Sequence, residues 1–350
     1  MAHRTGVRLG SFLVCAAIVA AAIGFAATSV RAAKATLTVY TAVEADDLKK
    51  YAARFNEDYP DIEIKWVRDS TGVITAKLLA EKANPQADVI WGLAATSLLV
   101  LKPEGMLMPY APKGVERLDA QFRDKDNPPA WVGMDAWVAA LCFNTVEAQK
   151  KNLPKPATWK DLTKPVYKGT IVMPNPASSG TGFLDVSSWL QLFGETEGWK
   201  YMDALHQNIG VYTHSGSKPC TMAGAGEYPI GVSFEFRAAR QKKQGAPIDI
   251  VFPSEGSGWD MEATSIVKGT KNLEAAKTLV DWSVTDKAMK LYNEGYAVVA
   301  ISKMSQPVEY LPGNMLEHMA KNDFQWAATN RAKILGEWEK RYGAKSEPKK

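Results

Sequence analysis

Past the first 32 residues the apolar positions recur at two alternating spacings. Residues 36–41 (TLTVYT) form a short β-branched run, the pattern of a strand. Leu48, Tyr51, Ala52, Phe55 and Tyr59 then recur at helical spacing, with Glu44, Asp46 and Asp47 at the head of the predicted helix 44–59. A strand is predicted over 62–67, and Asp69-Ser70-Thr71-Gly72 caps a helix running to about Lys82. Residues 88–91 predict a third strand, followed by Ala94-Ala95-Thr96-Ser97 and another helix. Strands and helices alternating at this spacing indicate an α/β fold built on a parallel sheet.

The pattern changes after that and then resumes. Residues 131–144 read as one long extended segment, and 151–165, with Pro154, Pro156 and Pro165, as a loop with a short helix. A second alternation starts at Gly169 and runs through apolar segments at 209–213, 230–236 and 248–252. Residues 264–267 precede a helix predicted over 273–286, and the stretch 307–342 reads as helical and amphipathic. The charged residues after Ala344 are expected to fray.

In such sheets the ligand crevice lies beyond the carboxyl ends of the strands, so the strand-to-helix handovers are where chemistry is sought. They carry Ala42-Val43-Glu44, Ser70-Thr71-Gly72 and Ala95-Thr96-Ser97, followed later by Asn175-Pro176-Ala177-Ser178-Ser179-Gly180-Thr181-Gly182-Phe183. The last is a turn dense in hydroxyls and glycines that opens a helix. First-turn N–H groups have no carbonyl partner within the helix, and the positive end of the helix dipole lies behind them. Glycine admits close approach and hydroxyls add neutral donors, which suits an oxyanion held without a metal. A plain N-cap would carry the same residue types; four small polar handovers in one chain favour a binding rim.

The N-terminus reads as a cleaved secretory signal. His3, Arg4 and Arg8 precede an apolar run over 12–27, and Val30-Arg31-Ala32 supplies small residues at the two positions a signal peptidase reads, with cleavage after about Ala32. Residues 1–32 carry three of the 42 basic residues and none of the 38 acidic ones, so the exported chain of 318 residues carries 39 basic against 38 acidic. That balance argues against nucleic acid, and Lys242-Lys243 reads as a solvated helix face. A chain of this length predicts two domains. Cys142 and Cys220 lie among apolar or small residues and read as free, buried thiols, although export permits a disulfide. His206, His214 and His318 have no metal-ligand spacing. No P-loop lysine follows Gly182, and His214 beside Ser215 and Ser217 is an adjacency that rarely gives triad geometry. The expectation is a soluble, monomeric, periplasmic protein with no catalytic residues, cofactor or metal.

The order of segments Leu37-Thr-Val-Tyr-Thr-Ala, Gln86-Ala-Asp-Val-Ile-Trp, Trp159-Lys-Asp-Leu, Lys168-Gly-Thr-Ile-Val-Met-Pro-Asn-Pro, Gly231-Val-Ser-Phe and Asn293-Glu-Gly-Tyr-Ala-Val-Val resembles periplasmic solute-binding proteins of ABC transporters. The resemblance covers essentially the whole exported chain. It points to the branch that includes ferric-ion, thiamine and 2-aminoethylphosphonate binders, and Ser178-Ser-Gly-Thr-Gly fits the phosphonate members best. It implies a type II clamshell of two α/β lobes joined by two crossing strands, near 137–140 and 252–258. Lobe one is then 33–138 plus 255–350 and lobe two 139–254, and a membrane permease is the implied partner. The ferric members use adjacent tyrosines where this chain looks to have Ser233-Phe234-Glu235-Phe236, and phenylalanine offers a hard metal ion no oxygen. The ligand the residues describe is a zwitterion. Ser178, Ser179, Gly180 and Thr181, with Ser70, Thr71 and Thr96 opposite, would hold a phosphonate. Glu44, with Glu235 or the Asp260/Glu262 pair beside Trp259, would hold an ammonium group. This describes an aminoalkylphosphonate, 2-aminoethylphosphonate by resemblance. Phosphate-type oxyanions, thiamine phosphate, polyamines and ferric ion are the alternatives within transport, and an exported enzyme or sensory module the alternatives outside it.

Overall fold

Seven parallel register pairs, from Ala35 with Ile62 to Thr41 with Arg68, start the sheet by joining β1 (Ala35–Thr41) to β2 (Ile62–Arg68). This is a computed structural model that describes residues 1–3 and 34–348. The apolar run 12–27 and the cleavage site expected near Ala32 lie outside the described residues.

Between β1 and β2 runs α1 (Ala45–Asn56), which buries Tyr51 and Phe55 and places Asp46 and Asp47 at its positive end. Next come α2 (Thr71–Ala80), β3 (Val89–Ala94), α3 (Ala95–Leu101) and the short β4 (Leu107–Met108). β3 pairs parallel to β1 and is buried throughout, as its continuous apolar run requires.

The strand β5 (Val132–Asn144), followed by α4 (Thr145–Lys150), links two halves of the sheet. Beyond it lie β6 (Ile171–Pro174), α5 (Gly180–Phe193), α6 (Glu195–Asn208), β7 (Ile209–Thr213), α7 (Lys218–Gly224), β8 (Ile230–Phe234), α8 (Glu235–Lys243), β9 (Ile248–Val251) and β10 (Trp259–Val267). β5 pairs antiparallel with β10 through residues 132–138 and with β8 and β9 through residues 139–144. β6 runs parallel to both β7 and β8. The strand order is β2-β1-β3-β10-β5-β8-β6-β7, and the chain returns from β9 to β10 through residues 252–258. Two apolar cores flank this arrangement. One contains Leu37, Phe55, Trp91, Trp282 and Tyr292, the other Trp159, Phe183, Trp189, Tyr212 and Trp338. The molecule is therefore a two-lobed α/β protein whose parallel strands, β2-β1-β3 and β8-β6-β7, are joined through the antiparallel strands β10 and β5.

The C-terminal third differs from the expected pattern. The helix predicted over 273–286 is α9 (Leu273–Ser283), and a further helix, α10 (Asp286–Tyr292), follows it, its start capped by the Thr285 hydroxyl, which accepts from Ala288 N–H. β11 (Val298–Val299) pairs with β5. Residues 305–314, with Pro307 and Pro312, contain no helix; helical structure resumes only at α11 (Met315–His318) and α12 (Phe324–Tyr342). α12 lies against α3 and α5, and its end packs Trp338 on Tyr212 with ring centroids 4.8 Å apart.

Two further expectations are corrected. Ser346 bridges Tyr212, and Glu347 N–H donates to Tyr212 O at 2.9 Å, so the tail through residue 348 adds to the edge at β7 instead of fraying. Cys142 and Cys220 form a disulfide, their Cα atoms 5.3 Å apart. Burial among small residues, which suggested inert thiols, holds equally for a disulfide joining β5 to α7.

Candidate functional site

Four strand-to-helix handovers converge on one cavity of about 50 Å³. The first lobe contributes Glu44, Arg68, Ser70 and Thr71; the second contributes Ser179, Gly180, Thr181, Ser215 and Gly216. Trp137, Phe234 and Phe236 supply apolar wall, and Glu262 reaches it from β10. At roughly 10–15 Å³ per water, this space suits a compact headgroup.

The starts of α2 and α5 meet across the cleft. Gly72 N–H donates to Ser178 O at 2.8 Å, a backbone bond between the lobes. A Cβ on Gly180 would stand 2.6 Å from the Thr71 hydroxyl oxygen, so only glycine permits this approach. The Ser179 hydroxyl accepts from Gly182 N–H at 3.3 Å and caps α5. Gly180 and Thr181 are the two residues before Gly182 in that first turn, so no helical carbonyl reaches their N–H groups. Gly216 closes on the same turn, its missing side chain facing Thr181 and Ser179.

The charges around this nest are paired. Arg68 lines the cavity, donates to Val43 O at 3.1 Å and stands 3.9 Å from Glu44. Glu44 is also ion-paired to Arg237 of α8. Arg237 also stands 3.8 Å from Asp46, so the two guanidiniums are matched by two carboxylates, and what favours an anion here is the pair of helix starts.

Glu262 stands apart. It is 7 % exposed, its Oε1 accepts from Tyr296 OH at 3.0 Å, and its Oε2 has no hydrogen-bond partner among the described residues. Burial pushes its carboxyl up to about 8. Its register partner across β10 and β5 is Asp135, fully buried, with neither carboxyl oxygen partnered among the described residues. Burial, and then the nearby Glu262 and Glu235, hold Asp135 well above the usual carboxylate range.

Of the twelve residues singled out in the sequence, seven line the cavity: Glu44, Ser70, Thr71, Ser179, Gly180, Thr181 and Glu262. Five do not. Ser178 turns its hydroxyl to His214 Nδ1 at 3.1 Å, while its carbonyl takes the Gly72 bond. Thr96 donates to Asp260 Oδ2 at 2.6 Å; both are buried, and burial raises Asp260 to about 6. Glu235 is fully buried and accepts from Val138 N–H at 2.7 Å. Trp259 donates to Ala320 O and packs on Phe324. Glu44 is on the rim, but as the partner of Arg237 it is not a free carboxylate.

Arg68, Ser215, Gly216, Trp137, Phe234 and Phe236 were not singled out as ligand residues. Ser215-Gly-Ser follows a predicted strand and is a small polar handover like the other four, so the same signal could have found it. No tyrosine, histidine or cysteine lines the cavity, and no group of three or more His, Cys, Asp or Glu is placed to hold a metal ion among the described residues. No helix among the described residues is long and apolar enough to cross a membrane.

Known proteins resemble the chain as a whole. Residues 84–325, more than half the chain, match the family described as bacterial extracellular solute-binding protein. An uncharacterized Haemophilus influenzae protein is 31% identical over 333 residues, covering 93% of this chain and 95% of its own. A probable ABC transporter periplasmic-binding protein of Sinorhizobium fredii is 26% identical over 245 residues, covering 68% of this chain and 67% of its own. Among solved structures, the periplasmic binding protein AfuA of Actinobacillus pleuropneumoniae, with exogenous fructose-6-phosphate bound, superposes with a TM-score of 0.82 at 28% identity, covering 89% of this chain and 99% of its own. With its two-lobed α/β fold of the type II periplasmic class, the chain belongs to the bacterial extracellular solute-binding protein family and is a periplasmic substrate-binding protein of the kind that serves ABC importers.

Proposed function

We propose that this protein captures a small phosphonate or phosphate monoester between its lobes and delivers it to an importer permease. The observation that carries this is the pairing of the α2 and α5 starts around one cavity with Arg68 in its wall. Hydroxyls of Ser70, Thr71, Ser179, Thr181 and Ser215, with the first-turn N–H groups of α5, supply donors on several sides of a tetrahedral oxyanion. Lobe one is 33–138 plus 255–350 and lobe two 139–254, with α12 lying across both. The working form is the chain exported after cleavage near Ala32.

The finer reading is an aminoalkylphosphonate, 2-aminoethylphosphonate in particular. Its ammonium group would meet Glu262, the one cavity carboxylate without an arginine partner. A second reading has its own support: AfuA holds a hexose phosphate, and a neutral Glu262 carboxyl can both donate to and accept from a hydroxyl.

A melting-shift screen separates them. Ligand at about 100 times its Kd adds about 2.7 kcal/mol of stability and raises the melting temperature by several degrees. The zwitterion reading expects a larger shift for 2-aminoethylphosphonate than for ethylphosphonate, inorganic phosphate or fructose 6-phosphate. A shift with fructose 6-phosphate alone selects the second reading. Shifts with spermidine or ferric citrate and none with any phospho compound would sink both.

A further inference from the structure

Every acid near Glu262 has a partner except those directly against it. From the α1 side, Asp47 is held by Arg240 of α8 at 2.6 Å and Glu44 by Arg237. Glu235, at the start of α8, takes the Val138 N–H. Tyr51 of α1 and Tyr292 of α10 are buried beside this cluster, and Tyr296 already donates to Glu262 Oε1. Arg68 lines the same cavity but is engaged with Val43 O and Glu44. What remains is Glu262 Oε2, both oxygens of Asp135 and Glu235 Oε1, all buried, and of these three residues Glu262 alone lines the cavity. Glu262 and Asp135 sit at matched register, where like charges on neighbouring strands repel. A β-bulge immediately follows Glu262, a feature that re-aims side chains at functional sites. Gly92 keeps the approach open, since a Cβ there would stand 3.3 Å from Glu262 Oε2.

We propose that Glu262 is the residue that reads the tail of the ligand, and that it does so by giving up a proton when a cationic tail enters. The proposal rests on the phosphonate reading above. In the empty protein Glu262 is neutral, because burial disfavours the carboxylate and no cation offsets it. A ligand ammonium beside Oε2 reverses the balance. The carboxyl proton leaves to solvent buffer, the ammonium keeps its own protons, and an ion pair forms in the closed cleft. Asp135 stays protonated throughout, because two carboxylates at this register cannot both ionise. A ligand with a hydroxylated or alkyl tail provides no charge to drive the exchange. Glu262 therefore discriminates cationic from neutral tails on a common phosphonate headgroup.

The test is calorimetric titration of 2-aminoethylphosphonate at pH 7 in two buffers of different ionisation heat, which counts protons released. Comparing wild type with Glu262→Gln for the same ligand removes the proton contribution of the ligand itself. About one more proton leaves the wild type than the variant, and the variant binds the amino compound at least tenfold more weakly while holding ethylphosphonate within about threefold. Asp135→Asn keeps the proton release. Should Glu262→Gln fail to fold, the wild type alone decides through carboxyl carbon NMR at pH 7: one buried glutamate moves to the ionised position with 2-aminoethylphosphonate and not with ethylphosphonate. Equal proton counts in wild type and variant, or no glutamate that ionises, overturn the proposal and leave the phosphonate reading intact. Absence of binding by both phosphonates overturns the underlying reading and this proposal with it.

Discussion

Glu235 and Glu262 both end up buried beside the cleft, and what separates them is which atoms reach their oxygens. Glu235 Oε2 receives a backbone N–H away from the cavity; Glu262 lines the cavity, and its buried Oε2 has no partner among the described residues. Both are pushed to about 8 by burial. A carboxyl whose pKa is raised on folding stabilises the fold fully below its unfolded value, near 4.5, and that stability is lost as pH rises through about 8. The ligand-free protein is therefore expected to melt at progressively lower temperature between pH 5 and pH 8.5. Glu235→Gln, which keeps an oxygen for Val138 N–H, is expected to flatten that slope by up to about 1.4 kcal/mol per pH unit. Calorimetric melting across this range checks it; parallel wild-type and variant curves would refute it. The place of the Ser-Ser-Gly-Thr-Gly turn on the cavity wall was legible in the sequence because it lies where a strand run hands over to a helix run. Glu235 was not, because whether the first residue of a helix faces the cleft or turns back is set by the β5 backbone opposite, 97 residues away in the chain.

At the scale of elements, the closed cleft is held by contacts from both lobes at its mouth. Arg237 and Arg240, nearly one turn apart on α8, reach Glu44 and Asp47 at the start of α1. Opposite, the α2 start meets the turn before α5 through the Gly72 bond. Closing motions of this kind convert ligand binding into a shape that a partner can recognise. Removing one side of the partly buried Arg237–Glu44 pair is expected to weaken ligand binding about tenfold in Arg237→Ala. The dependence of affinity on salt should fall with it, as calorimetry at two ionic strengths would read. Unchanged affinity and unchanged salt dependence would mean that the pair contributes nothing to closure. These ion pairs were not readable in advance: Glu44 looked like a ligand carboxylate because its partner lies 193 residues along the chain. The alternation of strands and helices was readable, since each handover follows a buried apolar run. The loop at 307–314 was mistaken for helix because Val308 and Leu311 stand at helical spacing, yet both are only half-buried, Tyr310 is exposed, and Pro307 and Pro312 flank them.

For the whole molecule, two lobes follow from chain length and from the resumption of the strand-helix pattern after the long strand β5. Less legible was how the parts are fastened together. The disulfide closes 78 residues of chain between β5 and α7, a constraint worth about 4–5 kcal/mol by loop-entropy reasoning. α12 runs from α3 to the helices of the second lobe, with Arg331 over the Phe183 ring at 4.1 Å. The tail beyond it secures the β7 edge next to the nest, where Glu347 engages His214 and Lys218. All of this serves one feature, the oxyanion nest between the α2 and α5 starts, and Gly180→Ala tests it most directly. Alanine at the first helical position favours the helix by up to about 1 kcal/mol, yet its methyl group would enter the space against Thr71 that the nest requires. Calorimetric titration of 2-aminoethylphosphonate into wild type and variant, with melting measured on both, is expected to show a folded variant with an equal or lower melting temperature. Its affinity should be lower by about 10- to 100-fold, the worth of one or two charge-assisted hydrogen bonds. A variant that binds as tightly as the wild type would contradict the account.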